Sequence, residues 1–97
     1  MTSMKKVEIV IDALEVSAVS AVLEKAGVTG YTVVGEVTGK GTRRDRSSDD
    51  LAGSLKNCYV FAACPEAQAR AAADAVRPML RRFGGICLVT DCLWVDH

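Results

Sequence analysis

Twelve consecutive residues, 39–50, carry no apolar side chain. A stretch of that length cannot be packed as core. It therefore divides the chain into two halves, each of which must supply its own share of a hydrophobic interior. The halves read alike. In the first, Lys5–Ala13 alternates, with Val7, Ile9 and Ile11 on one face and Lys6, Glu8 and Asp12 on the other, the period of a half-buried strand. From Leu14 the period lengthens. Val19, Val22, Leu23 and Ala26 fall at helical spacing, and Gly27 is placed as a left-handed helix cap. Tyr31–Thr38 returns to strand composition, with Tyr31, Val33 and Val37 expected on one face, and Gly35 signals a bulge or a close backbone approach.

The second half repeats the order. Cys58–Cys64 is a short strand, apolar on both sides, and Pro65 suits the start of a helix. Glu66–Phe83 is alanine-rich and helix-forming, with Ala72, Val76, Leu80 and Phe83 on one face. Pro78 inside it predicts a kink or a looser last turn. Gly84-Gly85 ends the helix, and Ile86–Val95 is the last strand. The order β-α-β-β-α-β predicts an α+β chain of the ferredoxin-like class, a sheet with both helices on one face. At 97 residues it makes one domain, 1–97.

Charge narrows the function. Twelve basic side chains balance twelve acidic ones, which argues against binding nucleic acid through overall charge. Attraction for anions must then be local, and the polar segment concentrates it. Lys40, Arg43, Arg44 and Arg46 face a single acid, Asp45, between Gly39, Gly41 and Ser47. Glycine lets backbone approach a ligand closely, and arginine forks suit phosphate or carboxylate.

Other chemistry finds little support. The cysteines Cys58, Cys64, Cys87 and Cys92 are spaced C-x5-C and C-x4-C, which fits neither a zinc knuckle nor a C-x-x-C redox pair. They read as reduced thiols in apolar surroundings, with a pairing of Cys87 and Cys92 at a strand end as the alternative. His97 is the sole histidine and the final residue, so no hydrolytic triad can be assembled. No catalytic residue, metal site or catalytic cofactor is expected, and the chain reads as a binding or sensing module. Tyr59 and Phe61 could supply the aromatic pair of an RNA-recognition sheet, but the flanking glycine and basic residues of that signature are missing. No basic segment followed by an apolar one opens the sequence, and no run is long enough to cross a bilayer. A cytoplasmic location is expected.

The frame Lys5-Lys6-Val7-Glu8-Ile9, then Ala26-Gly27-Val28-Thr29-Gly30-Tyr31-Thr32-Val33, then Gly39-Lys40-Gly41, closing with Phe83-Gly84-Gly85-Ile86, resembles the PII signalling superfamily. The block Gly39-Lys40-Gly41-Thr42-Arg43-Arg44-Asp45-Arg46-Ser47-Ser48 is similar to a narrower branch, the PII-like proteins encoded with bicarbonate transporters or carboxysomes. The resemblance implies a homotrimer binding adenine nucleotides in clefts between subunits. It implies a T-loop at about 39–55, a B-loop at about 81–86, and a transporter or carboxysome-related partner. Carried over by position, Gly39, Lys40, Gly41, Thr42, Arg43 and Arg46 would face the phosphates. Gly84, Gly85 and Ile86 would approach with main chain, and Thr32 of a neighbouring subunit would reach the base. Bicarbonate is the implied second ligand, with Gly41, Thr42, Arg43 and Arg46 as its donors.

Departures from the classical pattern refine this. The loop has no tyrosine for nucleotidyl transfer, the glutamine that helps bind 2-oxoglutarate is missing, and the B-loop lacks Asp-Gly-Lys. AMP, ADP or cyclic AMP is then favoured over ATP with magnesium. A small nucleic-acid-binding or protein-interaction module using the same basic loop is the alternative function.

Overall fold

The computed structural model describes residues 1–39 and 56–97. Its centre is strand β1 (Thr2–Asp12), paired antiparallel on both sides, with β3 (Asn57–Cys64) and with β4 (Ile86–Trp94). Strand β2 (Thr32–Val37) adds to the outer edge of β3, giving the order β2-β3-β1-β4. Helices α1 (Val16–Lys25) and α2 (Glu66–Phe83) cover one face. This is the ferredoxin-like β-α-β-β-α-β arrangement expected from the periodicity.

Register explains the core. Val7, Ile9 and Ile11 stand opposite Ala62, Val60 and Cys58, and all six are buried beneath Val19 and Leu23 of α1 and Ala69, Ala72 and Val76 of α2. The alternate residues of the same strands fall on the other face, which no helix covers. There Val34, Ile86, Leu88 and Trp94 are 40–52% exposed.

The helix ends are built by local chemistry. Asp12 accepts a hydrogen bond from the Leu14 N–H at 2.9 Å and starts a single 3-10 turn (Ala13–Glu15), so α1 begins at Val16 rather than at Leu14. Helix α1 closes with the Gly27 N–H on the Glu24 carbonyl and the Val28 N–H on the Leu23 carbonyl, a Schellman pair with Gly27 at φ 91° and Val28 in the core. Helix α2 continues across Pro78 to Phe83. Pro78 lies on the exposed side, where water can satisfy the carbonyl that loses its donor.

Strand β2 departs from the sequence expectation. Val34 stands opposite Tyr59 and Val37 opposite Asn57, so β2 spends one residue more than β3 over this interval. That bulge reverses the side-chain parity. Val33 shares its face with the buried Val60, whereas Val37 shares the open face with Asn57 and Tyr59, so the two valines are not on one side. The left-handed residue is Glu36 (φ 57°), next to the glycine that signalled the bulge, and its carboxylate pairs with Lys56 at 3.1 Å.

All four cysteines are free, Cys58 and Cys64 buried and Cys87 and Cys92 half-buried. Cys87 stands opposite Ile9 on the helix-covered face and Cys92 opposite Met4 on the open face, so the two are not placed to pair along β4. Burial pushes the Cys58, Cys64 and Cys87 thiols up, away from the reactive thiolate.

Gly84 and Gly85 are demanded by the fold for different reasons. Gly84 (φ 76°, ψ 174°) occupies a backbone region that is essentially glycine-only, and its N–H caps the Leu80 carbonyl at 2.9 Å. Gly85 (φ 119°) runs so close to β1 that a Cβ would lie 2.3 Å from the Val10 carbonyl oxygen. Gly84→Ala is therefore expected to cost about 1–3 kcal/mol in urea unfolding. Gly85→Ala should cost more, because backbone must move as well as twist. Equal costs would show that the close approach to β1 is relaxed at no expense.

Candidate functional site

The residues singled out from the sequence fall in three places. Thr32 is the first residue of β2, exposed, opposite Phe61. Gly39 lies two residues beyond β2, with open space around it. Gly84 and Gly85 link α2 to β4, and Ile86, 52% exposed, opens β4 opposite Val10. Lys40, Gly41, Thr42, Arg43 and Arg46 lie outside the described residues.

Topology relates these places. Val37 of β2 aligns through Asn57 with Asp12, and Ile86 aligns with Val10, so Gly39 and Gly84–Ile86 sit at the same end of the sheet. They are at opposite edges, however, three strand spacings or roughly 14 Å apart. Thr32 lies on the β2 edge, five residues or roughly 17 Å back along the strand. One chain thus gathers none of the three groups into a single pocket among the described residues.

Around Thr32 a cleft of about 830 Å3 does form. Strand β3 continues to Cys64, while β2 begins only opposite Phe61, so the edge of Ala62–Cys64 is left without a β2 partner. Tyr31, Phe61, Lys6, Gln68 and Trp94 line this space together with Thr32. Tyr31 is fixed by donating its hydroxyl to the Glu24 carboxylate of α1 at 2.9 Å. The family resemblance singled out Thr32, but sequence reasoning missed the cleft, whose other residues come from three strands, a helix and the turns beside them. The Thr29-Gly30-Tyr31 turn was the only local hint.

Beside the cleft, the open face carries a polar cluster. The Tyr59 hydroxyl donates to Glu8 Oε1 at 2.7 Å, and Lys6 Nζ stands 3.6 Å from the same oxygen. Lys6 Nζ also lies 5.6 Å from the Phe61 ring centroid, and Phe61 stacks on Tyr59 at 5.4 Å. The Tyr59 hydrogen bond, helped by the Lys6 charge, holds the Glu8 carboxyl below its usual value against the opposing effect of burial. The same bond, with burial and the Glu8 charge, raises the Tyr59 phenol. On the helix-covered side, a groove between α2 and β4 carries matched charges: Lys5 bonds Asp91, Arg70 pairs with Glu66 at 2.8 Å, and Arg77 with Asp74 at 3.4 Å. Among the described residues no three His, Cys, Asp or Glu side chains converge to hold a metal ion, and no helix is long and apolar enough to cross a membrane.

Residues 4–95 match the family model of the nitrogen regulatory protein P-II. The chain belongs to the P-II family. Among solved structures, it is similar to CPII, a nitrogen regulatory PII-like protein from Thiomonas intermedia K12, bound to ADP, AMP and bicarbonate. That match has a TM-score of 0.81 and 25% identity, covering 98% of this chain and 96% of that one. CPII bound to ADP and bicarbonate matches with a TM-score of 0.77 and 26% identity over 93% and 86% of the two chains. A PII-like signaling protein from Thermus thermophilus shares the fold at 22% identity and a TM-score of 0.77, over 97% and 90%. No curated protein matches the sequence. The resemblance read from the glycine-rich frame is thus correct at the level of family and fold.

The polar cluster of this P-II chain makes a checkable electrostatic prediction. Glu8 is favoured as the carboxylate, so its contribution to stability is full above the ordinary value of 4.5 and fades as pH falls through its depressed pKa. Tyr59 is favoured as the neutral phenol, so its contribution holds below 10.0 and fades as pH rises through its raised pKa. Tyr59→Phe should move the Glu8 midpoint upward in a carboxyl-carbon NMR titration, because the main cause of its depression is then lost. An unmoved midpoint would mean that Lys6, not Tyr59, dominates.

Proposed function

We propose that this P-II family chain is a regulatory sensor that binds an adenine nucleotide in clefts between the subunits of a homotrimer. ADP or AMP is the favoured nucleotide, with cyclic AMP as a further candidate. Bicarbonate is its second ligand, and its output is regulation of inorganic carbon uptake or fixation in the cytoplasm. A bicarbonate transporter or a carboxysome component is the partner class. The observation that carries this reading is the separation of the candidate contacts. Gly39 and Gly84–Ile86 sit at one end of the sheet while Thr32 opens β2 away from that end, so Thr32 joins them only when a neighbouring copy supplies it. Support also comes from CPII, which binds ADP, AMP and bicarbonate.

In this reading the segment at about 39–55 is the T-loop and the turn at about 81–86 the B-loop. Gly39, Lys40, Gly41, Thr42, Arg43 and Arg46 face phosphate, Gly84, Gly85 and Ile86 approach through main chain, and the neighbour's Thr32 meets the base. Gly41, Thr42, Arg43 and Arg46 also serve bicarbonate. A nucleotide that orders these residues removes part of the entropic cost of holding the second anion, so the two ligands couple positively and reciprocally.

Assembly is tested through the open sheet face. Exposed apolar residues on one contiguous surface favour a partner, and closed cyclic symmetry satisfies every subunit equally. Light scattering should give three chains per particle at micromolar concentration. Leu88→Lys should shift the particle toward single chains without unfolding them, because Leu88 stands opposite Glu8. A monomeric wild type would reject the intersubunit site.

Ligand binding is tested by calorimetry with AMP, ADP, ATP and cyclic AMP. Arg43→Ala and Arg46→Ala should each weaken ADP or AMP on the order of 1.5–3 kcal/mol, the range for hydrogen bonds to charged groups. Replacing bicarbonate by chloride at constant pH and ionic strength should lower nucleotide affinity. Equal affinities in the two salts would remove bicarbonate and leave the nucleotide sensor. Unchanged affinity in both arginine variants would remove the phosphate assignment.

A further inference from the structure

Three aromatic rings border the cleft beside Thr32, and each has a neighbour of its own. Tyr31 is tied by its hydroxyl to Glu24 at 2.9 Å, and Trp94 makes an edge contact with His97 at 5.7 Å between centroids. Phe61 differs. It stands directly across from Thr32, and both border the same space. The Phe61 ring stacks on Tyr59, with centroids 5.4 Å apart and planes 29° apart. Tyr59 is in turn held by Glu8 at 2.7 Å, and it is not among the residues of the cleft. The ring also meets the ammonium of Lys6, another residue of the cleft, 5.6 Å from its centroid.

A cation near an aromatic ring marks a ring with accessible π-surface, and such a surface can also stack the flat face of a nucleobase. Lys6 is 41% exposed and keeps a second contact, Glu8 at 3.6 Å. It can leave the ring without losing its ion pair. The ring itself is steadied by stacking on Tyr59, which Glu8 holds in turn.

We propose that Phe61 is the platform on which the adenine base stacks, opposite the Thr32 hydroxyl, with Lys6 withdrawing toward Glu8 as the base enters. This rests on the nucleotide reading given above. It assigns a base-binding role to a side chain outside both glycine segments and the basic loop. Stacking is indifferent to the phosphates, so the platform contributes equally to AMP and ADP, while the loop residues distinguish them.

The test compares wild type with Phe61→Leu and Phe61→Tyr. Each is titrated with AMP and ADP by calorimetry, and with 2-aminopurine riboside 5′-monophosphate by fluorescence, since stacking quenches that base. Phe61→Leu keeps an apolar side chain of similar size. It should retain its circular dichroism spectrum and oligomeric state, yet lose AMP and ADP affinity to the same degree, roughly ten-fold or more. Bound fluorophore should be quenched in wild type and brighter in Phe61→Leu, and Phe61→Tyr should restore both affinity and quenching. Wild-type affinity in Phe61→Leu overturns the platform and leaves the nucleotide sensor intact. Unquenched emission from fluorophore bound to wild type also overturns it, with no variant required. Failure of wild type to bind AMP or ADP overturns the nucleotide reading and the platform with it.

Discussion

Strand β1 is hydrogen-bonded on both flanks, and everything else in the fold is placed by reference to it. Its Val7-Ile9-Ile11 row is the floor on which both helices pack, and its register with β3 sets which residues of that strand are buried. A slip of one position would carry the whole apolar row to the uncovered side. The same strand dictates the turn after α2, because only a residue without a Cβ can pass the Val10 carbonyl oxygen at Gly85. In this way β1 governs where β4 begins, and therefore where Ile86 stands.

That dependence changes what the Gly84-Gly85 pair means. Two glycines near a candidate ligand invite a functional explanation, yet here the backbone angles and the contact with β1 already require both. Their presence says little about a ligand by itself. Thr32 is exposed and Phe61 half-buried, and no backbone angle or close approach of that kind fixes the identity of either.

Much of the architecture was legible in the chain. Period-two alternation located β1, helical spacing with Pro65 and Gly84 bounded α2, and Gly27 marked the end of α1 where the Schellman bonds now appear. The start of β1 was not legible, because Thr2 and Ser3 have no alternation of their own and are strand only through pairing with β4. The beginning of α1 was displaced because Asp12 acts as a cap two residues before Leu14. The cleft could not be read at all. It arises from unequal strand lengths, β3 outrunning β2, and brings together Lys6, Phe61 and Trp94, which are far apart in sequence. Thr32 was singled out by family resemblance, and Phe61 stands opposite it by register alone.

The bulge at Gly35 and Glu36 acts as a phase shifter in an edge strand. Between Val34 and Val37 the face that a side chain takes is set by where the extra residue is absorbed, more than by which residues they are. Regular pairing with every residue kept would set Glu36 rather than Val37 opposite Asn57 and turn Val37 to the helix-covered side. The place where the extra residue is absorbed is thus a property of the protein in its own right, invisible to any comparison that counts matching residues.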